Sequence, residues 1–149
     1  MRLALFQPDI PQNCGILLRL AACLGVAVDV IEPCGFPWND RLLRRAGMDY
    51  LAEVEVARHA SWEDYRGQMR GRLVLLTTKA AHSYSGFDFR PDDNLLAGRE
   101  SAGVPPEVHE AANERLRIPM RPGLRSINVA LAAAMVLGEA MRQTGGFPS

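Results

Sequence analysis

The sequence predicts an α/β protein, a parallel sheet with helices on both faces. Two observations carry that prediction. Short apolar runs of strand length alternate with helical stretches from one end of the chain to the other, the order produced when parallel strands are joined by crossover helices. Helix start and stop signals fall between those runs and not inside them. Internal repeats, low-complexity segments and linkers are lacking, so residues 1–149 read as one domain, long enough to bury roughly two thirds of its unfolded surface.

In chain order, "LALF" (3–6) is a short strand. "NCGILLRLAACLG" (13–25) is a helix with Asn13 as N-cap and Gly25 just past its end. "VAVDVIEP" (26–33) is β-branched and stops at Pro33. "NDRLLRRAG" (39–47) is a helix closed by Gly47, and "EVEVA" (53–57) alternates as a strand. Ser61 with Asp64 gives a capping signature for a helix through about Met69. "RLVLLTT" (72–78) and "NLLAG" (94–98) are apolar strands, "PPEVHEAANE" (105–114) a helix and "RLRIPM" (115–120) a strand. "SINVALAAAMVLGEAMRQ" (126–143) is the final helix, apolar on more than one face. It is too short, and carries Glu139 and Arg142, to be a membrane span.

Composition excludes several classes. Hydrophobic residues at 48% and charged residues at 23% are those of an ordinary globular chain, not of a disordered or membrane protein. Formal net charge is zero, so any nucleic-acid role must come from local basic clusters or from paired subunits. Cys14, Cys23 and Cys34 are odd in number and never spaced C-x-x-C. They read as buried free thiols of a cytoplasmic protein, with no disulfide framework and no metal site.

In an open parallel sheet ligands sit beyond the carboxyl ends of the strands. Three loops lie there: "TTKAAHS", "GRESAGVP" and "IPMRPGLRSIN". Gly98 and Gly103 have the spacing of a phosphate loop, but Val104 stands where the lysine belongs and no hydroxyl follows for Mg²⁺, so a triphosphate is excluded. No G-x-G-x-x-G follows the first strand. Judged on "RSIN" alone, Ser126 is a helix N-cap, and Glu100 alone is a solvated loop acid.

Taken together the motifs are more specific. Asn13-Cys14-Gly15-Ile16-Leu17-Leu18-Arg19 has the form N-x-G-x-x-x-R. "GRESAGVP" resembles G-x-E-x-x-G-[LV]-P, and "IPM" followed by "RSINVA" resembles the third motif of the SPOUT-class RNA methyltransferases, in the order that class uses. "IEPCGFPWNDRLLRRAGMDY" (31–50) is similar to the segment of the small subfamily that methylates the ribose 2′-hydroxyl at the tRNA wobble position, so the resemblance covers nearly the whole chain.

The resemblance implies a C-terminal deep trefoil knot over about residues 72–143, a homodimer through the last helix, and S-adenosylmethionine as methyl donor. It implies Leu76, Gly98, Ile118 and Ser126 as cofactor contacts, with Thr77, Glu100 and Met120 beside them. Arg19 is the implied residue at the 2′-hydroxyl. A guanidinium stays protonated, which fits a clamp on phosphate and a stabiliser of developing alkoxide better than a base. Asn13, Ser126 and Asn128 then hold the geometry.

Arg41, Arg44 and Arg45 are the expected grip on the tRNA anticodon stem-loop, with Trp38 and Tyr50 flanking them as stacking or core aromatics. The chain departs from the family in Arg99 and Ala102 within the second motif and in Gly138, where relatives often carry tyrosine. His59, His82 and His109 receive no role. A non-catalytic module binding S-adenosylmethionine or RNA, and a flavodoxin-like nucleotide-binding domain, are the competing readings.

Overall fold

The structure, a computed structural model, describes residues 1–45 and 50–149. The chain runs β1 (Arg2–Phe6), α1 (Pro11–Leu24), β2 (Ala27–Ile31), α2 (Asp40–Arg45), β3 (Val56–His59), α3 (Trp62–Gln68), β4 (Leu73–Leu76), β5 (His82–Ser83), β6 (Asn94–Ala97), α4 (Pro106–Ala111), β7 (Glu114–Arg117) and α5 (Val129–Thr144). The strands form one seven-stranded sheet in the order β3-β2-β1-β6-β4-β7-β5. Every paired neighbour in it is parallel. The α/β expectation is met.

Register sorts the side chains into two cores. Leu3 lies opposite Val28 on one side and Leu95 on the other, and Leu95 opposite Val74. That row packs under α1 and α5 through Leu17, Leu18, Ala133 and Leu137. The next row, with Ala4, Leu96 and Leu75, faces the other way against Tyr65 of α3 and Val108 of α4. Period-two alternation in strands covered on both faces gives this division, and each fully buried leucine contributes about 1.5–3 kcal/mol of transfer free energy.

Local signals explain most boundaries. Gly25 ends α1 in the left-handed region at φ 68°, where a residue without Cβ is unstrained. Asn39 Oδ1 accepts from the Arg41 and Leu42 amides and starts α2. Ser61 Oγ accepts from the Asp64 amide at 3.0 Å and starts α3. The expected closing residue of α2, Gly47, lies outside the described residues.

Four expectations are corrected. Asn13 does not cap α1; the helix begins at Pro11, whose ring suits the first turn, and the Asn13 amide is engaged elsewhere. Ser126 does not cap α5; Asn128 does, accepting from the Ala130 and Leu131 amides. The run 53–57 opens as a single 3-10 turn over Leu51–Glu53, and its strand starts only at Val56. Cys23 is exposed, because it falls on the outer face of α1; Cys14 is buried and Cys34 half-buried, all three as free thiols. The two-residue strand β5 carries no periodic pattern long enough to read from sequence.

Candidate active site

A cavity of about 810 Å³ opens beyond the carboxyl ends of β4, β6 and β7, within the size range of small-molecule sites. Leu76, Thr77, Gly98, Glu100, Ile118, Met120 and Ser126 all line it, together with Asn13 and Asn128. The three loops therefore converge as their sequence pattern anticipates. Arg19, Arg41, Arg44 and Arg45 are not among the lining residues. Arg19 is exposed on α1 with its guanidinium carbon 4.9 Å from the centroid of the Tyr50 ring. The three arginines of α2 are exposed around the buried Leu43.

The middle loop is held shut by a two-bond bridge, in which the Arg99 amide donates to the Gly103 carbonyl at 3.0 Å and the Gly103 amide to the Arg99 carbonyl at 2.9 Å. A Cβ on Gly98 would lie 2.8 Å from the Gly103 carbonyl carbon, closer than real contacts allow, so glycine is required for this closure. Arg99 lays its guanidinium 5.6 Å from the Phe6 ring centroid. In that position it covers the end of β1.

A hydrogen-bond relay ties the three segments together. At the head of α5 the Ala130 amide donates to Asn128 Oδ1 at 2.9 Å, and Asn128 Nδ2 donates to Asn13 Oδ1 at 3.1 Å. The Asn13 side chain in turn faces the carboxyl of Glu100 and favours its ionised form. This is why the Asn13 amide is absent from its own helix start.

Glu100 has an unusual setting for an acid. Its Oε2 is buried with no hydrogen-bond partner among the described residues, and its neighbour is another acid, Asp9. Burial, and then the hydrogen bond to Asp9, push its carboxyl up to about 7. Asp9 goes the other way, held down to about 2 chiefly by the hydrogen bond it receives from Glu100. The Glu100 amide donates to Asp9 Oδ1 at 3.2 Å, and the Ser101 hydroxyl donates to Asp9 Oδ2.

The residues present fit a nucleoside-type methyl donor. Leu76, Ile118 and Met120 offer apolar walls, while Thr77, Ser126 and the loop backbone offer polar groups beside them. Sequence reasoning missed Asp9, whose only signal is its place in "QPDIPQN". It also missed His109, which lines the cavity from a segment read as a structural helix, and gave no role to Lys79 within the first of the three ligand loops. Trp38 carries the Arg58 guanidinium 5.1 Å from its ring centroid and packs against the core of the α1 face.

Residues 1–138 match the SpoU rRNA Methylase family. A tRNA (cytidine(34)-2'-O)-methyltransferase from Beijerinckia indica subsp. indica is 62% identical across 96% of this chain and 91% of its own length. A solved structure described as giving structural insights into the 2-OH methylation of C/U34 on tRNA superposes with a TM-score of 0.90 at 39% identity, covering 95% of this chain and 94% of that one. An AdoMet-bound rRNA methyltransferase from Sinorhizobium meliloti superposes with a TM-score of 0.84 at 27% identity, over 95% of this chain and 55% of that one.

Proposed function

The chain belongs to the SpoU rRNA Methylase family, and from that premise we propose that it methylates the ribose 2′-hydroxyl of the wobble nucleotide, cytidine or uridine 34, of tRNA. The observation that carries the reading is the meeting of Leu76, Gly98, Glu100, Ile118 and Ser126, drawn from three separate loops, in one cavity. Identity of 62% over 96% of the chain to a cytidine-34 enzyme supports the substrate.

S-adenosylmethionine, when bound, supplies a methyl carbon made electrophilic by its sulfonium. Leu76, Ile118 and Met120 would flank its adenine, Gly98 would let the backbone approach, and Thr77, Glu100 and Ser126 would supply the polar contacts. Arg19, which stands outside the cavity lining, would clamp a substrate phosphate and stabilise the developing alkoxide, its guanidinium keeping its charge while the hydroxyl proton passes to solvent water. Asn13 and Asn128, bonded to each other, fix the floor beneath the reacting atoms.

Arg41, Arg44 and Arg45 grip the phosphates of the anticodon stem-loop, with Tyr50 and Trp38 beside them. A homodimer forms through α5, supported by Leu131 at 60% and Met135 at 43% exposure on the face away from the core. The single domain spans 1–149. A deep trefoil knot over about 72–143 is supported by β6 lying between β1 and β4 while β7 returns to the far side of β4. A cytoplasmic location accords with the tRNA substrate.

Nucleoside mass spectrometry of tRNA from a strain lacking the protein tests the reading. Loss of 2′-O-methylated cytidine and uridine at position 34, restored by the wild-type chain, is expected; unchanged levels would overturn it. Arg19→Ala is expected to reduce turnover by about 10²–10³-fold at unchanged cofactor affinity.

A further inference from the structure

The connection from β1 to α1 is held more firmly than its length requires. Gln7 adopts φ 43°, a left-handed conformation a non-glycine residue takes only under constraint, while its amide donates to the Ile31 carbonyl at 2.8 Å. Behind Asp9 stands Gly35, whose amide donates to the Pro8 carbonyl at 2.9 Å. A Cβ on Gly35 would come within 2.7 Å of Asp9 Cβ. Asp9 is thus backed by one segment and pressed towards another.

What it meets is the Gly98–Gly103 loop. At the far side of the loop the helix amides donate to Asn128 and Asn128 donates to Asn13, whose side chain faces Glu100. Two carboxyl groups can hydrogen-bond only if one carries a proton, and the donor here is Glu100. Two donors of the loop, the Glu100 amide and the Ser101 hydroxyl, point at Asp9.

We infer that Asp9 is a positioning residue for the cofactor cavity: its carboxylate holds the 98–103 loop through the Glu100 amide and the Ser101 hydroxyl. The inference deepens the methyl-transfer reading and rests on it only for the cofactor readout. The groups facing Glu100 are Asp9 from the β1–α1 connection, Asn13 and Cys14 from α1, and Asn128 of α5 through Asn13. Burial pushes the Cys14 thiol up to about 12, so it stays neutral, and the charge set against Glu100 is that of Asp9. Above about pH 7 the proton leaves, two like charges meet, and the loop loosens.

The test uses the full-length protein as wild type, Asp9→Asn and Glu100→Gln, with amide exchange of Glu100 and Gly103, corrected for intrinsic pH dependence, and calorimetric titration of S-adenosylmethionine. Asp9→Asn is expected to speed exchange of both amides and to weaken S-adenosylmethionine on the order of tenfold, as for one charge-assisted hydrogen bond lost, with exchange in β1 and β2 unchanged. Wild-type exchange in the loop is expected to rise from pH 6 to pH 8, and Glu100→Gln to remove that rise.

Unchanged loop exchange in Asp9→Asn, or a pH-dependent rise that survives in Glu100→Gln, overturns the proposal. Should Asp9→Asn fail to fold, the Glu100→Gln comparison decides alone. A wild-type protein that binds no S-adenosylmethionine sinks the methyl-transfer reading, and the exchange arm still decides for or against Asp9.

Discussion

At the amino edge of the sheet Asp93 is fully buried and bonded by both oxygens to Arg72 at 2.8 Å, with the Arg90 amide donating to it as well at 2.8 Å. At the carboxyl edge Glu100 is bonded through its amide to Asp9, and its carboxyl keeps one buried oxygen unpaired among the described residues. The first carboxylate has a cation and donors for both oxygens, and it fastens the start of β6 to the start of β4. The second has an acid for a partner, so its proton is retained and its loop answers to pH. Asp29, buried between Arg2 and His59, belongs with the first kind. Opposite partners make the same functional group a rivet at one edge and a proton-holding site at the other.

Removing the rivet should produce the largest effect. Arg72→Ala leaves Asp93 without its cation, and an unpaired buried charge costs about 3 kcal/mol or more. Urea unfolding should show that loss, with S-adenosylmethionine affinity of the folded protein close to wild type. If affinity fell in step with stability, the two edges would not be independent.

Gly98→Ala should do the reverse. Its Cβ, 2.8 Å from the Gly103 carbonyl carbon, forces the loop to move, and a displacement of that size next to the reacting atoms costs on the order of 10²-fold in turnover. Single-turnover methylation measures it. The urea midpoint should shift little, because the loop lies outside both cores.

The pH response sharpens the contrast further. The folded value of Glu100 is raised from 4.5 to about 7. Its contribution to stability is therefore fully present below about 4.5 and lost as pH rises through about 7. Asp9 is lowered from 3.8 to about 2, so its contribution is present above 3.8 and lost as pH falls through about 2. Thermal midpoints of wild type and Glu100→Gln, compared between pH 4 and 8, should diverge on the alkaline side, with the variant flatter; parallel curves would remove the special state of Glu100.

The smallest effect belongs to Gly138, where an added Cβ meets nothing within 4 Å. Gly138→Ala within α5 should stabilise the chain by about 0.5–1 kcal/mol, read from the same urea curves. A destabilised variant would mean that this face of α5 is covered.

Much of this was legible in advance. Apolar runs gave the strands to within a few residues, and Ser61 and Gly25 marked helix ends through bonds made within one turn. The cavity residues were recognisable through the resemblance carried by the ordered set of motifs, since each short motif by itself has a bland reading. Two of the failures share a cause. Asn13 has the residue type of a cap and the position of one, but its partner, Asn128, is 115 residues away. Asp9 reads as an unremarkable loop acid, since the Glu100 amide it accepts from is 91 residues distant.

By itself the sequence determined the α/β class, the helix and strand segments and the three loops that bear the site, because propensity, period and capping act over a few neighbouring residues. Only the tertiary structure decided the strand order and the placing of Asp9 against Glu100. Those depend on which distant groups share a low-dielectric contact, and no local pattern encodes that.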